Sequence, residues 1–298
     1  MMFDVIVAGG SYAGAAAALQ LARGRRKVLV IDAGVRRNRF AHSSHGFLTR
    51  DGTPPDEIAG IAKAQLLAYP NVTWIEGDAA EASGSNDDFT VAVRGGESHG
   101  GRRLVLATGI VDLLPDVPGL VEQWGLSAFH CPYCHGYELD RGQIGVLAVG
   151  AHSFHQAMML PDWGETTYFA GGFAPTAEES AQLAARGARI EATPVASVAA
   201  AGDGIAVTLA DGREIRLAGL FLAPPTMPAS PLAEQLGCET DETMGHRFIR
   251  TDAMKATSVA GVFACGDTAR MGSSLAFAVA DGVMAGSAAH RSMIFAGH

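Results

Sequence analysis

Phe3-Asp4-Val5-Ile6-Val7-Ala8 runs directly into Gly9-Gly10-Ser11-Tyr12-Ala13-Gly14. The first six residues form a short, mostly apolar run of buried-strand length. Residues 15–23 are strong helix formers, and residues 27–31 are a second apolar run closed by Asp32. Strand, glycine turn, helix, strand and acid in this order, within about 30 residues, predict a dinucleotide-binding βαβ unit. Glycines let the backbone approach a pyrophosphate, whose charge rests on the amide groups at the helix N-terminus. Asp32 is placed to accept a hydrogen bond from an adenosine ribose hydroxyl. Ser11 stands where the middle glycine of G-x-G-x-x-G belongs, and it is small enough to allow the close approach.

At about 100–200 residues per domain, the 298 residues suggest two domains. With 48% hydrophobic and 18% charged residues, the chain can bury a sizeable core and is not wholly disordered. Twenty-two Lys and Arg against 31 Asp and Glu leave a net charge of −9, a poor match to sequence-independent nucleic-acid binding. The 37 glycines suit tight turns and close helix–sheet packing. No apolar run approaches the roughly 18 residues of a membrane helix. Residues 1–10 lack the basic segment that opens a secretory signal. Cys131, Cys134, Cys238 and Cys265 are too few for a secreted disulfide framework in a chain this long. A cytoplasmic location is expected, where a C-x-x-C pair reads as redox or metal chemistry.

Beyond the opening unit, residues 35–44 form a polar, basic loop leading to His45-Gly46-Phe47. Residues 54–68 pattern as a helix. Residues 72–76, 89–94 and 104–107 pattern as strands, the last ending in Thr108-Gly109. Pro115 and Pro118-Gly119 mark a boundary. A second strand, turn and helix follow: 144–149, then Gly150-Ala151-His152-Ser153, then 154–160. Pro224-Pro225 breaks the chain again, and the tail holds Cys265-Gly266-Asp267 and a closing helix of small residues near 274–290. The predicted fold class is α/β, with two duplicated nucleotide-binding units of Rossmann type.

The strongest chemical signal is His130-Cys131-Pro132-Tyr133-Cys134-His135. Two cysteines at this spacing can close a small disulfide ring, and the arrangement often lowers one thiol pKa from about 8.5 toward 7 or below. His135, beside the second cysteine, is the candidate proton acceptor or donor for thiol exchange. A zinc site is the rival reading, but zinc wants four ligands and no second C-x-x-C exists. No metal is predicted. His152 and His155 lack a nearby third ligand and read as pocket lining or a helix cap. Cys238 and Cys265 read as small buried hydrophobes.

Four landmarks in order resemble the low-molecular-weight thioredoxin reductases over essentially the whole chain. They are Gly9 to Gly14 with Asp32, the Thr108-Gly109 junction, the Cys131–Cys134 motif, and Cys265-Gly266-Asp267. The resemblance implies an FAD-binding domain in two parts, 1–112 and 225–298. A second Rossmann-like, NAD(P)-binding-like domain, 113–224, would be inserted into the first and carry the cysteines. Gly9, Ser11 and Gly14 would cradle the pyrophosphate, and Asp32 would hold the ribose. Gly266 and Asp267 would approach the pyrophosphate and ribityl chain, and Leu275 and Ala276 the flavin ring. Ala33, Asn38, His45, Ala79, Thr108 and Gly109 complete the implied FAD contacts. Cys134 would face the flavin and Cys131 would exchange with substrate. A homodimer is implied as well.

Three departures separate the chain from the parent enzymes. His135 replaces the Asp they carry after the second Cys. The second turn, Val149 to Phe154, has one glycine where the family has three, and Phe154 replaces a small residue. Residues 168–173 lack the Lys or Arg that would pair with an NADPH phosphate, forgoing charge-assisted hydrogen bonds of about 1.5–3 kcal/mol each. These features count against NAD(P)H. They look more like the gliotoxin- and holomycin-type dithiol oxidases, in which His135 would generate the thiolate and FAD would pass electrons to oxygen. The implied function is an FAD-dependent dithiol–disulfide oxidoreductase. Its substrate is a small-molecule or thioredoxin-like protein dithiol, and no nucleic acid or membrane is involved. The alternatives are an NAD(P)H-dependent thioredoxin-type disulfide reductase and a non-catalytic FAD- or zinc-binding regulatory protein.

Overall fold

The computed structural model describes residues 2–150 and 152–295; Met1 and Ala151, which enter the sequence reading, lie outside the described residues. Met2–Ala8 forms β1, Tyr12–Arg23 α1 and Val28–Asp32 β2. Then come α2 (Pro55–Leu67), β3 (Val72–Glu76), β4 (Ala79–Ser85), β5 (Asp88–Val93), β6 (Ser98–Leu106) and β7 (Ile110–Asp112). Val5, Ile6, Val7, Val28, Leu29 and Val30 are fully buried, as strands covered on both faces must be. β6 is longer than its apolar stretch predicts. Its polar first half, with Gly100 and Gly101, lies between β1 and an antiparallel β5. Backbone pairing on both sides, rather than side-chain pattern, makes it a strand.

The next stretch holds α3 (Leu120–Gln123), β8 (Ala128–Phe129), α4 (Pro132–His135), β9 (Arg141–Leu147) and α5 (His152–Met159). It continues through β10 (Gly164–Phe169), α6 (Ala177–Ala185), β11 (Arg189–Glu191), β12 (Val195–Ala201), β13 (Gly204–Leu209), β14 (Glu214–Leu217) and β15 (Gly219–Phe221). A parallel sheet β11-β10-β9-β15-β8 carries a separate antiparallel sheet β12-β13-β14. The tail then gives β16 (Thr226–Pro228), α7 (Leu232–Gln235), β17 (Thr240–Thr243), β18 (His246–Ile249), β19 (Val262–Ala264) and α8 (Leu275–Ser292). β19 returns to the first sheet, β3-β2-β1-β6-β5-β4, and pairs with β6. The molecule is thus α/β with two Rossmann-like domains, the second inserted into the first.

Backbone contacts divide the chain into one unit of residues 1–39, 55–111 and 226–298, and another of 40–54 and 112–225. The loop 40–54 therefore groups with the inserted unit, whereas the sequence reading kept it in the first domain. A bridge between Ser44 and Thr53 closes this loop on itself. Phe40 packs under Gly125, where φ is +80° and a Cβ would come within 2.8 Å of the Phe40 Cβ. No helix among the described residues is long and apolar enough to cross a membrane.

In the first unit α8 lies on α1 at backbone contact. A Cβ on Gly282 would run into the Ala13 carbonyl, and one on Gly286 into that of Ala17. Gly286→Leu should therefore cost about 1–3 kcal/mol or more by overpacking, read from urea unfolding. Gly60→Ala, on the exposed part of α2 with open space around it, should instead stabilise by about 0.5–1 kcal/mol.

Candidate active site

The register of the first sheet sets the ends of three strands in a row. Ala8 of β1 and Ala264 of β19 both pair with Leu106 of β6. On the other side of β1, Ala8 pairs with Ile31, the residue before Asp32. The residues that leave these strands, Gly9, Thr108-Gly109 and Gly266, are thereby gathered at one carboxyl edge with Asp32, the last residue of β2. That edge is where open α/β sheets bind ligands.

Close backbone approach is built in here. Gly9 has φ +96°, and a Cβ on it would strike the Ala107 carbonyl; a Cβ on Gly14 would strike the carbonyl of Gly9. Gly266, at φ +73°, sits over α1, with a Cβ position 2.7 Å from that of Ala13. Ser11 is the N-cap residue of α1, yet its side chain makes no capping bond, and the first turn carries no acid. The positive end of the helix is left for an anion. Asp32 Oδ1 accepts the Gly10 N–H at 3.0 Å. The Thr268 hydroxyl, fully buried next to Asp267, has no protein partner.

Asn38 is held by the Tyr12 hydroxyl, its Nδ2 donating at 3.2 Å, and burial pushes that phenol's pKa up. Leu275 and Ala276 begin α8, whose N-cap Ser274 accepts the Phe277 N–H at 3.1 Å. Ala33 is exposed beyond β2, and Ala79 is buried at the start of β4, three residues after Glu76, which pairs with Asp32. Sequence reasoning passed over Arg37. Its guanidinium lies 3.6 Å from Asp267 and donates to Ser273 Oγ at 3.0 Å, tying the basic loop to the tail. The clue in sequence was only that the loop is basic.

In the inserted unit Cys131 and Cys134 are joined by a disulfide with a Cα separation of 5.3 Å. Pro132 opens α4, and the Cys131 carbonyl accepts the Cys134 N–H at 3.2 Å. Gln156, buried on α5, donates to the His130 carbonyl at 2.8 Å and braces the segment. Among the described residues no group of three or more His, Cys, Asp or Glu is placed to hold a metal ion. Tyr133 is exposed and meets Trp163 edge-on at 5.3 Å. Cys238 and Cys265 are buried free thiols; burial pushes Cys265 up to about 12, so it is inert.

His135 stacks on Phe129 at 4.3 Å with an interplanar angle of 17°. That burial, helped by repulsion from His45, lowers its pKa from 6.5 to about 4. His135 is therefore neutral at physiological pH. His45 does not join the glycine turn's unit. Its Nδ1 lies 3.5 Å from Glu138, just after α4, and 3.8 Å from Asp51 of its own loop.

At the second nucleotide turn one backbone donor is taken by the following helix. Ser153, fully buried, accepts the Val149 N–H on Oγ at 2.9 Å. α5 begins at His152 rather than 154. Phe154 packs into the core under it, filling space a small residue would leave open. The Tyr168 hydroxyl donates to the Phe173 carbonyl at 3.0 Å and folds the following loop back.

A family model described as pyridine nucleotide-disulphide oxidoreductase matches residues 3–291. The chain is 33% identical to thioredoxin reductase sirT of Leptosphaeria maculans, covering 96% of this chain and 93% of that protein. It is equally, 33%, identical to thioredoxin reductase tcpT of Claviceps purpurea, over 98% and 94%. The crystal structure of an oxidoreductase from Agrobacterium tumefaciens superposes with a TM-score of 0.96 at 52% identity, covering 99% of this chain and 100% of that one.

The burial of His135 has a measurable consequence. Its folded pKa is below its unfolded value, so between pH 6.5 and about 4 the unfolded chain takes up a proton that the folded chain refuses. Stability should fall by about 3 kcal/mol across that window as pH drops, and by nothing further below it. Phe129→Leu opens the stack, so the imidazole midpoint, followed by histidine NMR, should move up from about 4.

Proposed function

The chain belongs to the pyridine nucleotide-disulphide oxidoreductase family, and from that premise we propose that it is an FAD-dependent enzyme that oxidises dithiols to disulfides. One observation carries the reading. In the unit that presents the Cys131–Cys134 disulfide, the Val149 N–H at the nucleotide turn is bonded to the Ser153 hydroxyl and Phe154 packs against the core. These features count against NAD(P)H as the electron source, and a substrate dithiol supplies another.

The residues at the strand ends fit FAD. Gly9, Ser11, Gly14 and Gly266 leave room and amide donors for a pyrophosphate, Asp32 offers a carboxylate to the ribose, and the unpartnered Thr268 hydroxyl awaits a polar contact. Asn38, Thr108, Gly109, Asp267, Leu275 and Ala276 stand with them in the proposed seat, and Ala33 and Ala79 at its margin. When bound, FAD supplies the two-electron acceptor that drains the cysteine pair and hands the electrons to oxygen or another acceptor.

The protein's own step is thiol–disulfide exchange. One substrate thiol loses its proton, and its sulfur bonds to Sγ of Cys131. The Cys131–Cys134 bond breaks, and Cys134 leaves as a thiolate. The second substrate thiol, also deprotonated, attacks the first substrate sulfur and releases Cys131. The substrate has lost two electrons and two protons, and the cysteine pair has gained the two electrons. Tyr133, between the two cysteines in sequence, offers an exposed aromatic ring to the incoming dithiol. The reading further places the enzyme in the cytoplasm as a homodimer.

The relatives from Leptosphaeria and Claviceps are named thioredoxin reductases, which supports a second reading, NAD(P)H-driven reduction of a thioredoxin-like protein. Anaerobic mixing separates the two. Dithiothreitol should bleach the flavin band of the purified holoprotein within seconds, and NADPH or NADH should leave it unchanged. Cys131→Ser and Cys134→Ser should slow dithiol bleaching by at least about a hundredfold. Rapid bleaching by a nicotinamide, with none by the dithiol, would reverse the assignment.

A further inference from the structure

We propose that His45, anchored by Glu138 and Asp51, takes the proton from the incoming substrate thiol at the Cys131–Cys134 pair. The inference rests on the dithiol-oxidase reading above and names the base that reading leaves open. The resemblance assigns the proton to His135; the geometry around His45 favours a different division of labour.

His135 is poorly suited to hold a proton. It is stacked on Phe129, covered, and held near 4, whereas an ordinary thiol titrates at about 8.5. Transfer from such a thiol to His135 runs about four orders of magnitude uphill. His45 comes from a loop closed by the Ser44–Thr53 bridge, and Asp51 of that loop accepts the Gly46 N–H at 2.7 Å, which fixes the turn next to the imidazole. Its Nδ1 faces two carboxylates, Glu138 at 3.5 Å and Asp51 at 3.8 Å, leaving Nε2 as the proton-accepting atom. A carboxylate behind one ring nitrogen orients the imidazole so that the other nitrogen can face the substrate. The groups that bear on His45 are Asp51 from its own loop, Glu138 from the turn after α4, and His135 from α4. Glu138 follows Cys134 by four residues, so the pairing brings His45 to the reactive segment itself.

The balance is simple. The substrate S–H bond breaks, its proton passes to His45 Nε2, and the sulfur keeps the electron pair with which it attacks Cys131. His45 then returns the proton to solvent past Asp51 and Glu138, both partly exposed.

The test is the rate of anaerobic flavin bleaching by dithiothreitol in holoprotein, from pH 6 to 9.5, for His45→Asn, Glu138→Gln and His135→Asn. Each rate is divided by the wild-type rate at the same pH, which cancels ionisation of the dithiol. His45→Asn should be slower by at least about tenfold at pH 6.5 and converge on wild type at pH 9.5, where thiolate forms without help. Glu138→Gln, an exposed change that leaves the fold intact, should show a smaller effect of the same shape. His135→Asn should give a ratio that does not vary with pH. Added imidazole should restore part of the rate to His45→Gly at pH 6.5. A pH-independent ratio for His45→Asn and Glu138→Gln, or convergence in His135→Asn instead, overturns the assignment. Failure of wild-type flavin to bleach with the dithiol at any pH overturns the functional reading, and this proposal with it.

Discussion

Three parallel strands, β1, β6 and β19, end side by side, and at Gly9, Gly14 and Gly266 the backbone around them has no room for a side chain. Gly9 lies against the Ala107 carbonyl, Gly14 against the carbonyl of Gly9, and Gly266 against Ala13. This crowding draws the tail, two hundred and more positions away in sequence, onto the first helix. α8 then seals the arrangement through Gly282 and Gly286. A single Cβ in the turn would push apart the strand end and the helix whose amides face the ligand. The first unit can hold an extended dinucleotide because its closest contacts are backbone on backbone.

The inserted unit shows the same fold put to a different use. It keeps the parallel sheet, but its turn donor is taken by Ser153 and its helix–strand gap by Phe154. What it presents instead is a disulfide on a four-residue helix, braced from behind by Gln156. The surroundings of that helix decide its chemistry. Phe129 makes His135 a packed, neutral ring, while Glu138 draws in a loop whose histidine faces two carboxylates. Of the two imidazoles, one is thus stacked on an aromatic ring and the other faces two carboxylates.

Much of this was legible in the sequence where the signal is local. β1, α1 and β2 follow from an apolar run, a glycine turn and a closing acid, because each element is decided by its own residues. The cysteine pair, and its separation from the two buried thiols, was equally plain from spacing. What escaped was non-local. The first half of β6 has no apolar alternation and becomes a strand because neighbours pair with it on both sides. The loop 40–54 belongs with the inserted unit through Phe40 under Gly125 and His45 beside Glu138, contacts between positions some 85 to 95 residues apart. Arg37 reaches Asp267 across most of the chain. The depressed basicity of His135 depends on Phe129 lying flat against it, which no spacing rule announces.

The central claim is that electrons from a dithiol are stored in Cys131 and Cys134 as well as in the flavin. Anaerobic reductive titration of the holoprotein with a reduced dithiol, followed by absorbance and by alkylation mapping of the two cysteines, counts those electrons directly. The account predicts two molar equivalents of dithiol per bound FAD, with both cysteines alkylated at the end point. An end point at one equivalent, with the cysteine pair still closed and protected from alkylation, would contradict it.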